Sequence, residues 1–309
     1  MRHPFSRVDL ICADEEVGEH AAGTIPEVSG QRVANMNLEQ ALQIVSETDV
    51  GMVRSRNEDS VAIDGSIGLV VLADGMGGHN AGEVASGMAT AVIMTELRNA
   101  LDQQVHLKVD LQTGQSEAQE LLRDRIGKAN TAIYQISQSQ PHYAGMGTTL
   151  VVALFNDSNV TVAHLGDSRL YRLRGEELKQ MTKDHSLLQE QIDGGLITSE
   201  QAEESTHKNI VLRALGVDLA VEPEIHDYAT LPGDIYLLCT DGLSDMVSDP
   251  DIGMALRTLG ADLKHCAQQL VQMANNNGGR DNVSVILVKV LRDYAAPRGL
   301  LAKTFEWLK

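Results

Sequence analysis

Three apolar runs in this chain stop in the same way: VVLADG at Asp74, YLLCTDG at Asp241 and, as a variant, AHLGDS at Asp167. Each reads as a strand that delivers a carboxylate to its own mouth. A strand holds its terminal residue rigidly. Gly beside the acid lets a cation and its waters come close to the backbone, whose carbonyl can itself serve as an oxygen ligand. An isolated Asp-Gly is a reverse-turn signal; several at strand ends, converging, would be a site.

The order of elements sets the fold class. Short strand signals (QIVSETDVG, SVAID, IGLVVLADG) come first, then two helical stretches at 80–103 and 117–138. Strands return in TTLVVALF, VTVAHLGDSRLYRLR and DIYLLCTDG, a last helix covers about 251–275, and SVILVKV closes the pattern. Helices grouped in this way, rather than alternating with strands, fit a mostly antiparallel α+β fold with helices outside the sheets. Pattern alone leaves the number of sheets open. Residues 182–212 interrupt the rhythm with a short helix, a Gly-Gly break and a polar helix, as an inserted flap would. The expected division is an N-terminal extension at 1–40, a catalytic domain at 41–292 and a C-terminal tail at 293–309.

Composition excludes several classes. A formal charge of −18 and no long Lys/Arg block argue against nucleic acid as a partner. No stretch is long and apolar enough for a signal peptide core or a membrane span. Cys12, Cys239 and Cys266, odd in number and widely spaced, suit neither a disulfide framework nor zinc and point to a reducing cytoplasm.

Two further acids stand in polar clusters flanked by apolar strands, Asp59 in RSRNEDS and Asp281 in GGRDNVSVILV. A cage of oxygen ligands without His or Cys selects Mg²⁺, Mn²⁺ or Ca²⁺ over zinc or copper, and two such cations acidify a bridging water to hydroxide. Such a centre suits phosphoester hydrolysis, where a guanidinium is the natural extra clamp on the phosphoryl oxygens. Arg54 and Arg56 are both placed to supply it.

The motifs RSRNEDS, VVLADGMGGHNAGEVAS, GMGTTL, HLGDSRLYRL, DHSLL, NIVLRALG, LLCTDGLSD and GGRDNVSVIL occur in the order found in type 2C protein phosphatases, and the match runs from about 43 to 291. The chain resembles a bacterial-type member. That resemblance implies a central antiparallel β-sandwich flanked by helices on both sides. It implies a protein Ser/Thr phosphatase that attacks phosphoserine and phosphothreonine through a metal-bridging hydroxide and opposes a Ser/Thr protein kinase, whose phosphorylated proteins would be its partners. It further implies Mn²⁺ or Mg²⁺, two per site, held by Asp74, Asp241, Asp281 and Asp59 with the Gly75 carbonyl, Asp59 also orienting metal-bound water. A weaker third cation would sit at Asp167, Asp241 and Asp245. Arg54, five positions before Asp59, would bind phosphate. Where many eukaryotic relatives carry a His proposed as general acid, this chain has Met76; His79 or a water is left to protonate the leaving group.

Other conspicuous residues read blandly. His164 alternates within a strand and should be packed or paired, Cys239 sits in an apolar strand, and the Met residues at helical spacing belong to the core. The C-terminal PRGLLAKTFEWLK is read as packing on its own domain or as disordered, ahead of docking on a partner or membrane. A monomer is the expectation. The competing functions are a catalytically silent binding module, which should have lost cage acids, and a phosphatase for small phosphoesters or for a specialised transcription regulator.

Overall fold

The computed structural model describes residues 38–78, 80–102, 116–198, 201 and 210–295. Most of the expected extension, His79, Cys12, much of the flap between 199 and 209, and the tail from 296 onward lie outside the described residues.

Helix α1 (Leu38–Ala41) leads into β1 (Leu42–Asp49), β2 (Asp59–Asp64) and β3 (Leu69–Met76), followed by helices α2 (Ala81–Asp102) and α3 (Glu117–Ser139). Strands β4 (Gly147–Thr148), β5 (Leu150–Asn156), β6 (Asn159–Leu165), β7 (Arg169–Arg174) and β8 (Glu177–Gln180) come next, then α4 (Leu187–Asp193), β9 (Glu224–Ala229) and β10 (Ile235–Cys239). Helices α5 (Asp241–Ser244), α6 (Asp249–Leu259) and α7 (Leu263–Asn276) precede the closing strand β11 (Val283–Val290). The strands form two antiparallel sheets, ordered β1-β11-β10-β7-β8 and β2-β3-β5-β6-β9, with β4 on the end of β3. This is the expected α+β architecture.

The central strands are apolar throughout because both of their faces are covered. On β3, Val70 and Leu72 point between the sheets, where they join Val151, Tyr236, Leu238 and Ile286. Leu69, Val71 and Ala73 point outward, beneath Ala85, Ala89 and Ile93 of α2 and Leu122 and Ile126 of α3. Residues of β10 and β11 divide likewise, with Leu237, Cys239 and Val285 facing Leu256, Leu263 and Leu270 of α6 and α7. Helices therefore cover both outer faces. Each fully buried Leu, Ile or Val contributes about 1.5–3 kcal/mol relative to exposure. The aromatic rings of Phe155 and Tyr236, one from each sheet, meet edge to face at 5.4 Å and 78°, a geometry worth about 0.5–1.5 kcal/mol beyond burial.

Two of the expected elements are divided in the structure. The last helical stretch is two helices: Gly260 caps α6, and the Asp262 side chain accepts the His265 N–H to start α7. VTVAHLGDSRLYRLR is two strands in different sheets, joined across Gly166, Asp167 and Ser168.

Candidate metal centre

Antiparallel pairing brings the start of one strand beside the end of the next, and this gathers the acids. Asp59, the first residue of β2, lies directly opposite Asp74 near the end of β3. In the other sheet Cys239 at the end of β10 pairs with Val285 of β11 and Arg169 of β7. Asp241, Asp281 and Asp167 therefore emerge at the same end. Contacts join the two sheets there: Thr240 Oγ1 donates to Asp59 Oδ2 at 3.0 Å, and the Thr149 and Ser168 hydroxyls are 2.7 Å apart.

The backbone around the acids is fixed by side chains that the sequence reading passed over. Asp74 is gripped by its main chain: its N–H donates to Thr149 Oγ1, and its carbonyl accepts from Thr148 Oγ1 and the Thr149 N–H. Buried Asn282 accepts the Glu58 N–H and donates to the carbonyls of Val50 and Arg56, clamping the β1–β2 loop that carries Arg54. Its signal was available: an Asn directly after Asp281 and directly before an apolar strand. Gly75 and Gly242 permit the close approach. A Cβ on Gly75 would lie 2.1 Å from the Gly82 carbonyl oxygen, and one on Gly242 would lie 1.9 Å from that of Asn282.

Electrostatically the cluster is frustrated. Burial, reinforced by Asp59, Asp241, Asp167 and Asp281, pushes the Asp74 carboxyl well above the ordinary range. Burial likewise raises Asp241, with Asp167, Asp245, Asp281 and Asp59 adding to it. Asp59 is pushed up to about 6, chiefly by burial, despite hydrogen bonds from Ser284 and Thr240. Asp167 also rises to about 6, through burial and then its proximity to Asp184. The buried oxygens Asp59 Oδ1 and Asp241 Oδ1 have no hydrogen-bond partner. Buried oxygens without partners, held among like charges, are costly unless a cation is expected there. An all-oxygen donor set suits hard divalent ions. Asp245 is exposed and sits at the end of α5, its N–H donating to the Asp241 carbonyl.

The two arginines left level by physics have different surroundings. The half-exposed Arg54 Nη2 lies 2.6 Å from Asp281 Oδ2, and Glu58 and Asp241 also raise its pKa. Arg56 instead donates to the Asn80 side chain. His79 falls outside the described residues. Cys239 and Cys266 are buried and free, and burial pushes their thiols up to about 12 and about 11.

The chain is 39% identical over 262 residues to the serine/threonine protein phosphatase PstP of Mycobacterium tuberculosis, covering 84% of this chain but about half (48%) of that protein. It is 37% identical over 252 residues to the protein phosphatase PhpP of Streptococcus pneumoniae, covering 81% of this chain and 98% of that protein. The solved catalytic domain of PstP in complex with two manganese ions superposes with a TM-score of 0.69 at 38% identity, covering 81% of this chain and 98% of that one. The family model described as "Protein phosphatase 2C" matches residues 53–292, and with the acids of that span gathered at one end of the sandwich, the chain belongs to the protein phosphatase 2C family.

Proposed function

We propose that this protein hydrolyses phosphoserine and phosphothreonine on other proteins in the cytoplasm, acting as a monomer and opposing a Ser/Thr protein kinase. The observation that carries the reading is the pair of buried, unpartnered oxygens on Asp59 and Asp241, set among further acids at the joint end of both sheets. None of the cage acids is missing, which argues against a silent binding module.

In this reading Asp74, Asp241, Asp281 and Asp59, with the Gly75 carbonyl, hold two Mn²⁺ or Mg²⁺ ions, and Asp167, Asp241 and Asp245 hold a weaker third. When bound, the ions neutralise phosphoryl charge and lower the pKa of water. Asp59, anchored by Thr240, orients the attacking water. Arg54 holds the substrate phosphate. Its present partner, Asp281, is one of the proposed cation ligands, so loading the cage would free the guanidinium for a second anion. Met76 carries no transferable proton, so protonation of the leaving alkoxide falls to His79 or to water.

The test is hydrolysis of a phosphothreonine peptide and of an aryl phosphate by EDTA-treated protein, before and after Mn²⁺ is restored. Turnover should appear only with the cation. Arg54→Lys should raise KM about tenfold or more on both substrates, because an ammonium cannot reproduce the bidentate clamp. Turnover that survives EDTA would refute the reading.

A further inference from the structure

Away from the acidic mouth, the described residues hold a second cluster with metal-ligand chemistry. His164 on β6, His185 after β8 and Glu224 on β9 each present one ligand atom, all within 4.8 Å of one another. The three are far apart in the chain but adjacent in space, because β6 and β9 are neighbours and His164 pairs with Glu224 in register. The His164 and His185 rings stack at 4.7 Å with their planes 13° apart.

The surroundings orient two of the three. His164 Nε2 donates to the Lys183 carbonyl at 2.8 Å, which leaves Nδ1 as the bare nitrogen. Glu224 Oε1 accepts from His226 Nε2 at 2.8 Å, which turns Oε2 toward His185 Nε2, 3.5 Å away. An outer partner that fixes the donor atom of a histidine or carboxylate is the usual support of a metal ligand. His185 supplies the unsatisfied atom: its side chain is 6% exposed, and Nε2 has no hydrogen-bond partner. Burial keeps both rings neutral, His185 being brought down to about 4, so coordination releases no net proton, although His185 Nε2 must pass its single ring proton to Nδ1, which accepts from Gly166 in this structure. Glu224 is half-buried and opens the cluster to solvent.

We propose that His164, His185 and Glu224 form a second cation site, selective for borderline ions such as Zn²⁺ or Co²⁺, whose occupancy is transmitted to Asp167. Two imidazoles and a carboxylate match zinc and cobalt, whereas the oxygen cage matches manganese and magnesium. The stacked rings require one imidazole to rotate for both to share an ion.

Transmission follows from the tautomer of His185. Its Nδ1 accepts the Gly166 N–H at 3.2 Å, and its own backbone N–H donates to the Gly166 carbonyl. A cation on Nε2 moves the remaining ring proton to Nδ1, so an acceptor facing an N–H becomes a donor facing it. The Gly166 turn, at φ +100° and so close to Thr149 that a Cβ would lie 2.7 Å from its side chain, must shift, and Asp167 is the next residue.

The experiment uses the full chain with its cage saturated by Mn²⁺, titrated first with Co²⁺ and then with Zn²⁺. Imidazole-bound, low-coordinate Co²⁺ has an intense visible absorption that six-oxygen sites lack. The band is expected in wild type and in Asp74→Asn, and is expected to be lost in Glu224→Gln and His164→Gln. No band in wild type, or a band that persists in both latter variants, overturns the site. Zn²⁺ should inhibit wild-type turnover, and the half-inhibiting concentration should rise by about tenfold or more in Glu224→Gln. Equal zinc sensitivity in that variant overturns the link to Asp167. Glu224→Gln, at a partly exposed position, should leave Mn²⁺-dependent turnover in zinc-free buffer unchanged, which checks that the variant folds. The cobalt signal does not depend on the chain being a phosphatase; only the zinc effect does.

Discussion

Strand β10 has an aspartate at each end, and the two are treated in opposite ways. Asp234, just before the strand and 1% exposed, accepts hydrogen bonds from Arg174 Nε and Nη2 at 2.8 and 2.7 Å, from the Leu231 N–H and from Tyr236 Oη. Burial alone would raise its carboxyl, but Arg174 and these N–H and O–H donors take it below the usual range. Asp241, just after the strand, is surrounded by acids and keeps an orphaned oxygen. Strand β2 repeats the contrast, with Asp59 at its mouth and, at its far end, Asp64, which is bonded to Ser66 and Arg98. A carboxylate that serves the fold has its counter-charge built in. One that we propose holds a cation has its counter-charge withheld.

The sharpest way to break this contrast is to neutralise both ends of β10. Asp241→Asn should lower turnover on the order of 10³-fold, since several kcal/mol of charge stabilisation disappears, while leaving the cation-free fold at least as stable. Asp234→Asn should do the reverse, costing about 3 kcal/mol in urea denaturation because Arg174 loses its buried partner, with turnover per folded molecule unchanged. If both variants lost the same property, the two ends would not differ in kind.

Acidity should separate the two groups by sign. Asp59 and Asp167 have folded values of about 6, against about 3.9 when unfolded. The cation-free fold therefore binds the extra protons, and its stability falls as pH rises from about 4 to about 6. In EDTA the melting temperature of Asp59→Asn should therefore gain on that of wild type as pH rises from 5 to 7, a comparison in which the opposing contribution of the buried, neutral His164 and His185 cancels; with Mn²⁺ added the wild type should instead gain stability over that range, because protons compete for the ligands. Asp234 and Asp64, with lowered values, contribute stability above about 4 and lose it only below. A difference between Asp59→Asn and wild type that stays constant from pH 5 to 7 would contradict the raised value at the mouth.

The smallest effect belongs to Arg98→Ala. Its guanidinium is 55% exposed beside Asp64, and solvent screening limits the loss to about 1 kcal/mol or less. Calorimetry resolves this against Asp234→Asn.

How much of this was legible beforehand depended on whether the signal was local. The acids at Asp74, Asp167 and Asp241 could be read because each buried strand carries no Asp, Glu, Lys or Arg before its mouth, so the first carboxylate is conspicuous. Strand β9, EIHDYA, was missed because it is the outermost strand of its sheet and its residues are only partly covered, which leaves no alternation to find. The His164, His185 and Glu224 cluster was invisible for another reason: only strand pairing brings its members together. Asn282 lay in plain view, but its role depends on where the β1–β2 loop returns.

The step from β6 to β7 has a consequence for mutational drift. Gly166, Asp167 and Ser168 carry the chain from one sheet to the other in three residues, so Asp167 belongs to neither layer and reports their relative position. A core substitution between the layers, such as one at Phe155 or Tyr236, is expected to shift one sheet against the other. At most positions such a shift would be silent; here it would alter how Asp167 faces Asp74. The sandwich thus works as a caliper with its jaws at the acidic end, and variants selected only for folding would be expected to differ first in the cation concentration they require.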